Sequence, residues 1–480
     1  MIAEPISVQD VSLKDPFQFE VEDLEKGTLS PSKLCSQRIL EHFRCPANFL
    51  DFSVNDSTCP EASYFRFGSE ITCYGRSSGS FFGDTKGFPP YDALKDVVIN
   101  GDEARLSFNP TEVIDNLRLE RYRENHRVKG ILKKLYYIFR PLTTPLMRRQ
   151  IQRFHARDWQ RLRFPRWPVD TTVENLCEAL LLLAMQAKGL DRVPFVWFWP
   201  RGARGCVAIT HDVEHQAGMD FCSRLMDIDD SFGIKASFQI VPEERYRVSS
   251  QVIDEMRARG FEVCIHDLNH DGQLFEGKEE FSRRAAIVNR YGREYKANGF
   301  RAAVLYRRSD WYDILDFSYD MSIPNVAHLD PQRGGCCTVM PYFIGNILEL
   351  PLTTIQDYTL FHILNQRSID LWKTQLDLIF NKNGLASFII HPDYIIEPEM
   401  RSVYRDLLTH ITDQRSCEGI WLALPREIDE WWRTRSRLGV EHYGESWRIV
   451  GEGAERATLA YAKSIDGKLV YELPEFTRSQ

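Results

Sequence analysis

The segment from residue 204 to 437 alternates short apolar stretches with helical ones, and this alternation constrains the fold more than any other feature of the sequence. The apolar stretches lie at 206–210, 235–241, 261–266, 297–302, 385–391 and 419–425. Helical segments separate them, and the one at 248–260 opens with serines that can cap a helix and ends at a glycine. Apolar strands separated by helices pair in parallel, so the sequence predicts an α/β core built as a barrel or a doubly wound sheet.

The flanking segments have a different character. Residues 1–110 contain β-rich stretches with turn signals, including Asn100-Gly101 between apolar alternations. Residues 111–203 have helical periodicity, with one predicted helix at 132–139 and another from Glu174 to Gly189. Residues 438–480 hold short strands, the last two divided by Asp466-Gly467. We therefore expect a β-rich N-terminal unit, a helical connecting region, the core at 204–437 and a small β cap.

Composition excludes several functional classes. The chain has 480 residues, 43% of them hydrophobic, and a net charge of −8, which argues against a protein that mainly binds nucleic acid. No apolar stretch reaches the roughly 20 residues of a transmembrane helix. The N-terminal sequence is acidic and lacks a basic segment followed by an apolar one, so we expect a cytoplasmic protein. The cysteines are scattered without CxxC pairs and predict reduced thiols.

One local segment departs from the acidic average. Between 148 and 167, arginines alternate with aromatic residues, among them Phe154, Trp159 and Trp167. Such a segment could contact a polyanion, a phosphate-bearing glycan carrier or a partner protein. The alternative is a solvated helix face whose aromatic side chains dock on the next domain.

Metal-type ligands follow three of the predicted strands. The first strand runs into residues 211–215, whose sequence is His-Asp-Val-Glu-His, and extended spacing points Asp212 and Glu214 the same way. The third ends in the H-x3-H pattern of residues 266–270, which brings both imidazoles to one face if a helix begins there. A late strand ends at His391. In a β/α barrel the reactive groups lie at these strand ends, and two histidines with a carboxylate suit an open divalent metal site.

The same motifs resemble a known family. In order and rough spacing, they are similar to those of the NodB-homology polysaccharide deacetylases of the carbohydrate esterase 4 type: THDVE at 210–214, HDLNH at 266–270, GFRA at 299–302, YDMSIPN at 319–325 and FIIHPDY at 388–394. The HDVE motif, together with residues 334–361, resembles a bacterial branch of that superfamily. The resemblance covers residues 204 to about 435.

The resemblance implies a distorted (β/α) barrel that binds one divalent ion, commonly zinc. Asp212, His266 and His270 match the metal ligands of the family. His391 matches the general acid that protonates the leaving amine, and Arg301 matches the arginine that orients the base.

The first motif departs from the family pattern of two adjacent aspartates, base and then ligand. With Asp212 as ligand, the assignment favoured here, the base must be Glu214 or His211. With Asp212 as base, Glu214 must reach the metal.

These features predict a metal-dependent hydrolase that removes acetyl groups from N- or O-acetylated sugars of a polysaccharide or glycoconjugate. An alternative is a member of the same fold that lacks catalysis and binds a glycan or a partner protein in a surface-polysaccharide pathway. A glycosidase that uses Asp212 and Glu214 is disfavoured, because two carboxylates from one strand end would hardly straddle a glycosidic bond.

Overall fold

The computed structural model describes residues 31–55, 59–79, 91–123, 150, 153–154 and 157–474. No helix within these ranges is long and apolar enough to span a lipid bilayer. The predicted helix at 132–139 lies outside the described residues.

The N-terminal unit combines short strands with two helices. Its strands are β1 (Phe52–Val54), β2 (Ser63–Phe67), β3 (Ile71–Gly75), β4 (Val98–Asn100) and β5 (Glu103–Leu106), and its helices are α1 (Pro31–Phe43) and α2 (Pro110–Arg118). β2 and β3 form a hairpin, and β5 lies between β1 and β4. The predicted turn joins β4 to β5, and Gly101 has a φ of 61°, a conformation that glycine adopts at low cost.

The connecting region contributes α3 (Thr172–Ala187) and β6 (Arg192–Val196). The helix carries a predominantly apolar sequence, and its buried side chains include Leu176, Leu180 and Leu181. They pack in one apolar cluster with the N-terminal unit and with residues of the larger sheet, such as Leu348. The N-terminal and connecting segments therefore share a continuous core with the rest of the chain.

The main sheet is built from nine strands. They are β7 (Cys206–Val213), β8 (Ser237–Ile240), β9 (Glu262–His266), β10 (Gly299–Arg301), β11 (Tyr319–Asp320), β12 (Tyr342–Ile344), β13 (Ile347–Glu349), β14 (Leu385–Ile390) and β15 (Trp421–Leu422). The order is β12-β13-β11-β10-β9-β8-β7-β14, with β15 also paired to β7. Only β12 runs antiparallel to its neighbour, so the predicted parallel α/β core is present.

Helices connect these strands and cover the sheet. They are α4 (Gln216–Ser231), α5 (Ser250–Ala258), α6 (Lys278–Glu294), α7 (Asp370–Phe380), α8 (Pro392–Ile395), α9 (Pro398–Glu418) and α10 (Pro425–Arg437). The apolar faces of α4, α6, α7 and α9 pack with the inner residues of the strands in one large cluster. The carboxyl ends of the parallel strands therefore meet at one edge, as in other α/β folds.

The sheet curls, but its two ends are not joined by a backbone ladder within the described ranges. The loop after β13 instead reaches β14 through side chains. Thr353 donates its hydroxyl to the Leu385 carbonyl at 2.7 Å, and Thr354 donates to the Ser387 carbonyl at 2.8 Å. This places the loop after β13 beside the strand that leads to His391.

The C-terminal segment forms β16 (Gly439–Tyr443), β17 (Ser446–Val450), β18 (Leu459–Ile465) and β19 (Lys468–Glu472). The predicted short strands are present, and the Asp466-Gly467 turn joins the last two. β18 also pairs with β6 of the connecting region, which the sequence pattern did not predict. The final strands are thus tied to the segment that precedes the main sheet.

Candidate active site

Asp212 and Arg301 form a buried pair at the carboxyl edge of the sheet. Asp212 lies on β7, and Arg301 is the last residue of β10. Arg301 Nη1 donates to Asp212 Oδ1 and, at 2.8 Å, to Thr210 Oγ1, while its Nε donates to the Met321 carbonyl at 3.0 Å. Thr210 and Asp212 are alternate residues of β7 and face the same side of the sheet, so Arg301 reaches both of them. Its hydrogen bonds therefore fix the orientation of the Asp212 carboxylate.

Glu214 lies one residue beyond the end of β7 and contacts two histidines. Its Oε1 is 2.8 Å from His270 Nε2 and 4.0 Å from His266 Nε2. Ligand atoms of these three residues all lie within 4.8 Å of one another. The Glu214 side chain keeps 17% of its surface exposed, whereas both imidazoles are buried. The cluster therefore has an open side through its carboxylate.

The histidine nitrogens fit a metal ion. Nε2 of His266 is buried without a hydrogen-bond partner among the described residues, and Nε2 of His270 faces the Glu214 carboxylate at 2.8 Å. His266 Nδ1 lies 3.2 Å from the Arg301 carbonyl, which accepts only, so the proton sits on Nδ1 and the Nε2 lone pair faces the cluster. Two imidazole nitrogens and a carboxylate are the donor set of open catalytic zinc sites.

The H-x3-H motif adopts a different local structure from the helix entry that its spacing predicts. The helix that follows the motif, α6, begins only at Lys278. Positive φ values at Asp267 (58°) and His270 (55°) turn the loop instead, and the imidazole centroids of His266 and His270 lie 4.8 Å apart. Asp267 secures this turn, since its carboxylate accepts from Leu268 N at 2.6 Å and from Ala303 N at 3.2 Å.

His391 faces the same cluster from the end of β14 and is held by Asp357. Its Nδ1 lies 2.6 Å from Asp357 Oδ1, and its backbone N–H donates to Asp357 Oδ2 at 2.7 Å. The other ring nitrogen, Nε2, is 3.5 Å from Glu214 Oε1. The carboxylate of Asp357 thus fixes the ring so that Nε2 points into the site.

The electrostatics set opposite protonation states for two of these groups. Burial raises the pKa of Asp212, but Arg301, His266 and His391 outweigh it and hold the pKa below its usual range. Burial lowers the pKa of His391, but Asp357 and Glu214 outweigh it and raise the pKa well above its usual range. At neutral pH the site therefore holds an ionised carboxylate opposite a protonated imidazole, which is the pairing that acid–base catalysis requires.

The structure brings together six of the seven residues predicted from the sequence: Asp212, Glu214, His266, His270, Arg301 and His391. The arrangement differs from the favoured assignment, in which Asp212 is a ligand and Glu214 or His211 the base. Glu214 contacts His270 directly, whereas the nearest approach of Asp212 to a histidine is 3.7 Å, to His266 Nε2. The reason is that Asp212 is still inside the strand and reaches back to Arg301, while Glu214 lies past its end.

His211 is the residue that does not join the site. It lies on the opposite face of β7, fully buried, with Nε2 2.9 Å from Asp229 Oδ2 and Nδ1 3.2 Å from the Ile390 carbonyl. The strand alternation that turns Asp212 inward turns its neighbour outward. This placement corrects the interpretation of His211 as a possible base and indicates a structural role between β7, α4 and β14.

We expect His211→Ala to lower the free energy of unfolding by about 1–3 kcal/mol, because it leaves the buried Asp229 carboxylate with only one of its two hydrogen-bond partners, the Tyr404 hydroxyl. Metal content of the folded protein should stay unchanged, since the imidazole faces away from Glu214. Urea denaturation and metal analysis test both statements. A variant of normal stability that has lost its metal would contradict this placement.

Two supporting residues were missed by the sequence analysis. Asp357 belongs to a loop after β13 and not to a strand end, and Asp267 stands between the two predicted ligands. Neither residue stands in a sequence motif whose spacing predicts a functional role. A signal for Asp357 could have come from the chemistry alone, since a histidine acting as a general acid needs a partner for its second ring nitrogen.

A cavity that is partly open to solvent lies beside the site. Its apolar wall includes Leu305, Leu352 and Ile389, and its polar side includes Gln356 and Asp330. Ile389 precedes His391 by two residues on β14 and therefore faces the same side of the sheet. Burial raises the pKa of Asp330 to about 6. The cavity thus combines an apolar wall with one carboxyl group, that of Asp330, and lies on the same side of the sheet as His391.

The segment at 148–167 is only partly described, and Arg148 and Arg149 lie outside the described residues. Trp167 stacks on His328 with centroids 6.1 Å apart and lines the cavity, and Arg153 Nε donates to the His362 carbonyl at 3.0 Å. Phe154 stays 63% exposed. These contacts agree with the docking of part of this segment on the main sheet; contact with a glycan carrier or partner protein remains a proposal.

No protein-family model matches the chain, and no curated protein matches it. Among solved structures, it resembles a candidate polysaccharide deacetylase from Mycobacterium smegmatis, at 17% identity and a TM-score of 0.41 over 52% of this chain and 98% of that one. It also resembles the PuuE allantoinase, at 14% identity and a TM-score of 0.39 over 49% and 92%. A family 4 acetyl xylan esterase from Clostridium thermocellum, solved with cobalt, has 14% identity and a TM-score of 0.31 over 47% and 91%. Each of these three similarities covers about half of this chain.

Proposed function

We propose that the protein is a metal-dependent hydrolase that removes acetyl groups from an N- or O-acetylated carbohydrate. The observation that carries this proposal is the convergence of three sets of side chains on one point. These are the Glu214, His266 and His270 cluster, the Asp212–Arg301 pair and the His391–Asp357 pair. Each set matches a separate requirement of acyl hydrolysis.

Glu214, His266 and His270 are the residues that would hold the ion. Their two Nε2 atoms and one carboxylate suit zinc, although other divalent ions accept the same donors. When bound, such an ion polarises a carbonyl and makes water more acidic, which is the chemistry that amide cleavage at neutral pH needs.

The remaining residues manage the protons. Asp212, ionised and oriented by Arg301, accepts a proton from the attacking water as its oxygen bonds to the acyl carbon. His391, protonated and oriented by Asp357, donates a proton from Nε2 to the leaving nitrogen or oxygen as its bond to the acyl carbon breaks. Asp212 gains one proton and His391 loses one, so the products are acetate and a free amine or hydroxyl.

The carbohydrate assignment rests on the motif resemblance and is supported by the surroundings of the site. Tyr394 lies beside His391 with ring centroids 4.9 Å apart and is partly exposed, so it could pack against a pyranose ring. Trp167 offers a second aromatic surface at the neighbouring cavity. Aromatic faces with nearby polar groups suit sugars, which have apolar faces and polar rims.

Metal analysis combined with an acetate-release assay tests the proposal. Purified protein should contain about one equivalent of a divalent ion per chain, as expected for a single site of this kind. It should release acetate from N-acetylated oligosaccharides and lose this activity after chelation. A folded, metal-free protein that binds such oligosaccharides without releasing acetate would instead favour the non-catalytic glycan-binding function.

His270→Ala is expected to lower metal content at least tenfold, because it removes the ligand in direct contact with Glu214. His215→Ala is the matched control. His215 follows Glu214 directly, but its side chain is 59% exposed and lies 3.9 Å from Asp393, outside the cluster. Both proteins should remain folded by circular dichroism. Equal metal loss in the two variants, or in neither, would refute the ligand assignment.

A further inference from the structure

A second cavity, separate from the candidate active site, lies where the N-terminal unit meets the main sheet and α10. It is partly open to solvent, and none of the residues of the metal cluster or the acid–base pairs lines it. Three arginines contribute to its wall: Arg44 after α1, Arg118 at the end of α2 and Arg435 in α10. Two of them, Arg118 and Arg435, are buried, and arginine is rarely buried without a charged partner.

Arg435 is 1% exposed and has no carboxylate partner among the described residues. Its Nε donates to the Trp197 carbonyl at 3.0 Å, and its Nη2 donates to the carbonyls of His42 and Val196, both at 2.8 Å. Nη1 makes one longer bond, of 3.4 Å, to the Glu41 carbonyl, and so keeps a second N–H unused within the described structure. The guanidinium group is thus surrounded by carbonyl dipoles and by the rings of Phe198 and Trp432, whose centroids lie 5.3 and 5.0 Å from its central carbon.

Arg118 is 5% exposed, and its side chain donates no hydrogen bond to any described residue. It is placed over the Tyr342 ring, 5.3 Å from the centroid, and its Nε is buried without a partner. Glu174 is the acidic residue whose charge acts on it, but burial raises the pKa of Glu174 to about 7 and its carboxylate accepts from Val339 N. Five guanidinium N–H groups therefore remain available at this wall.

The other described groups of the wall do not neutralise Arg118 and Arg435. Glu41 is the one acidic residue of the described lining, and Arg38, outside the cavity, binds its carboxylate at 2.6 and 2.7 Å. Burial, together with Arg118 and Arg435, lowers the pKa of His42 well below its usual range, so its ring is neutral. Arg118 and Arg435 therefore lack a carboxylate partner among the described lining residues, and the aromatic rings of Tyr342 and Trp432 lie beside them.

Buried charges in proteins are normally paired, because desolvation of an isolated ion is costly. Guanidinium groups match phosphate oxygens in geometry and charge, and several around one cavity favour a dianion over a monoanion. We propose that this cavity binds a small molecule through a phosphate or diphosphate group, with Arg118 as the main donor and Arg435 as the second. The adjacent rings would contact the organic part of a phosphorylated sugar or nucleotide.

Isothermal titration of the full chain with inorganic phosphate, pyrophosphate and uridine diphosphate tests the proposal. We expect pyrophosphate or the nucleotide to bind in the micromolar range, with an affinity that falls as salt concentration rises. Tighter binding of the nucleotide than of pyrophosphate would show that the rings contribute, and the reverse order would identify the free anion as the ligand. Failure of all three to bind at millimolar concentration would overturn the proposal.

Arg118→Met should weaken binding by roughly tenfold or more, since it removes a buried charge-assisted donor. The fold should be retained, because this side chain makes no hydrogen bond with the described residues. Arg192→Met is the control: it also removes one arginine stacked on a tyrosine, 4.8 Å from the Tyr461 ring, but Arg192 does not line this cavity. Equal affinity in Arg118→Met and wild type would overturn the assignment.

Two further variants distinguish anion binding in this cavity from anion binding at the active site. His270→Ala removes the metal cluster and should bind the anion unchanged; loss of binding there would place the anion at the active site and overturn the proposal. Ser436→Glu places a carboxylate on the cavity wall, where Ser436 is partly buried. It should abolish anion binding and raise the melting temperature of the ligand-free protein, because the new charge substitutes for the missing partner. Unaltered anion binding in Ser436→Glu would contradict the location.

Discussion

Asp212→Asn is expected to retain its bound metal while its turnover on an acetylated substrate falls by roughly 10²- to 10⁴-fold, the range attributed to a general base. The structure gives the reason. The Asp212 carboxylate is bound by Arg301, whereas Glu214 is the carboxylate in contact with His270. The amide oxygen of the variant still accepts from Arg301, so the fold should be maintained, but an amide cannot accept a proton from water.

Glu214→Gln provides the complementary measurement. Replacing the carboxylate of the cluster should lower metal content at least tenfold, because an amide is a much weaker ligand. Metal analysis and turnover are measured on both variants after their melting temperatures confirm folding. If Asp212→Asn lost the metal and Glu214→Gln kept it, the roles would be reversed, in agreement with the assignment that the family pattern favours.

The sequence predicts that Asp212 and Glu214 belong to one site, but it does not assign their separate roles. Strand ends and ligand-type residues predicted which side chains would meet, because parallel strands place their carboxyl ends at one edge. The pattern could not assign Asp212 and Glu214, since both face the same side in an extended segment. Their roles depend on the reach of Arg301 across from β10, which is a tertiary contact between residues 89 positions apart.

A similar limit applies to the fold. The apolar runs predicted the parallel strands, including β7 and β14, and their neighbours within a few residues. The pairing of β18 with β6 joins segments separated by more than 260 residues of sequence, and no local pattern encodes it. The loop at 266–270 was also beyond prediction, because the positive φ values of Asp267 and His270 depend on hydrogen bonds from other loops.

The pH dependence of the reaction should report on His391 and its partner Asp357. The general acid works in its protonated form, so activity falls as pH rises through the pKa of His391. The charge of Asp357 raises that pKa, and Asp357→Asn removes this contribution. The alkaline limb of the pH–rate profile should therefore move to lower pH in Asp357→Asn, with metal content unchanged. A limb that stays in place would mean that another group sets it.

The largest effect on substrate selectivity is expected for His391→Ala. An amine leaving group needs a proton as the C–N bond breaks, whereas a phenolate leaves without one. The variant should therefore lose roughly 10²-fold or more in turnover of an N-acetylated sugar and far less in turnover of an activated phenyl acetate ester. In the wild-type protein, His391 Nε2 faces the site, while Nδ1 is bound to Asp357. The proton for the leaving group therefore comes from Nε2. Both rates are measured on one preparation, which removes differences in metal loading. Equal losses on the two substrates would show that His391 positions other groups, and unchanged rates would exclude it from the reaction.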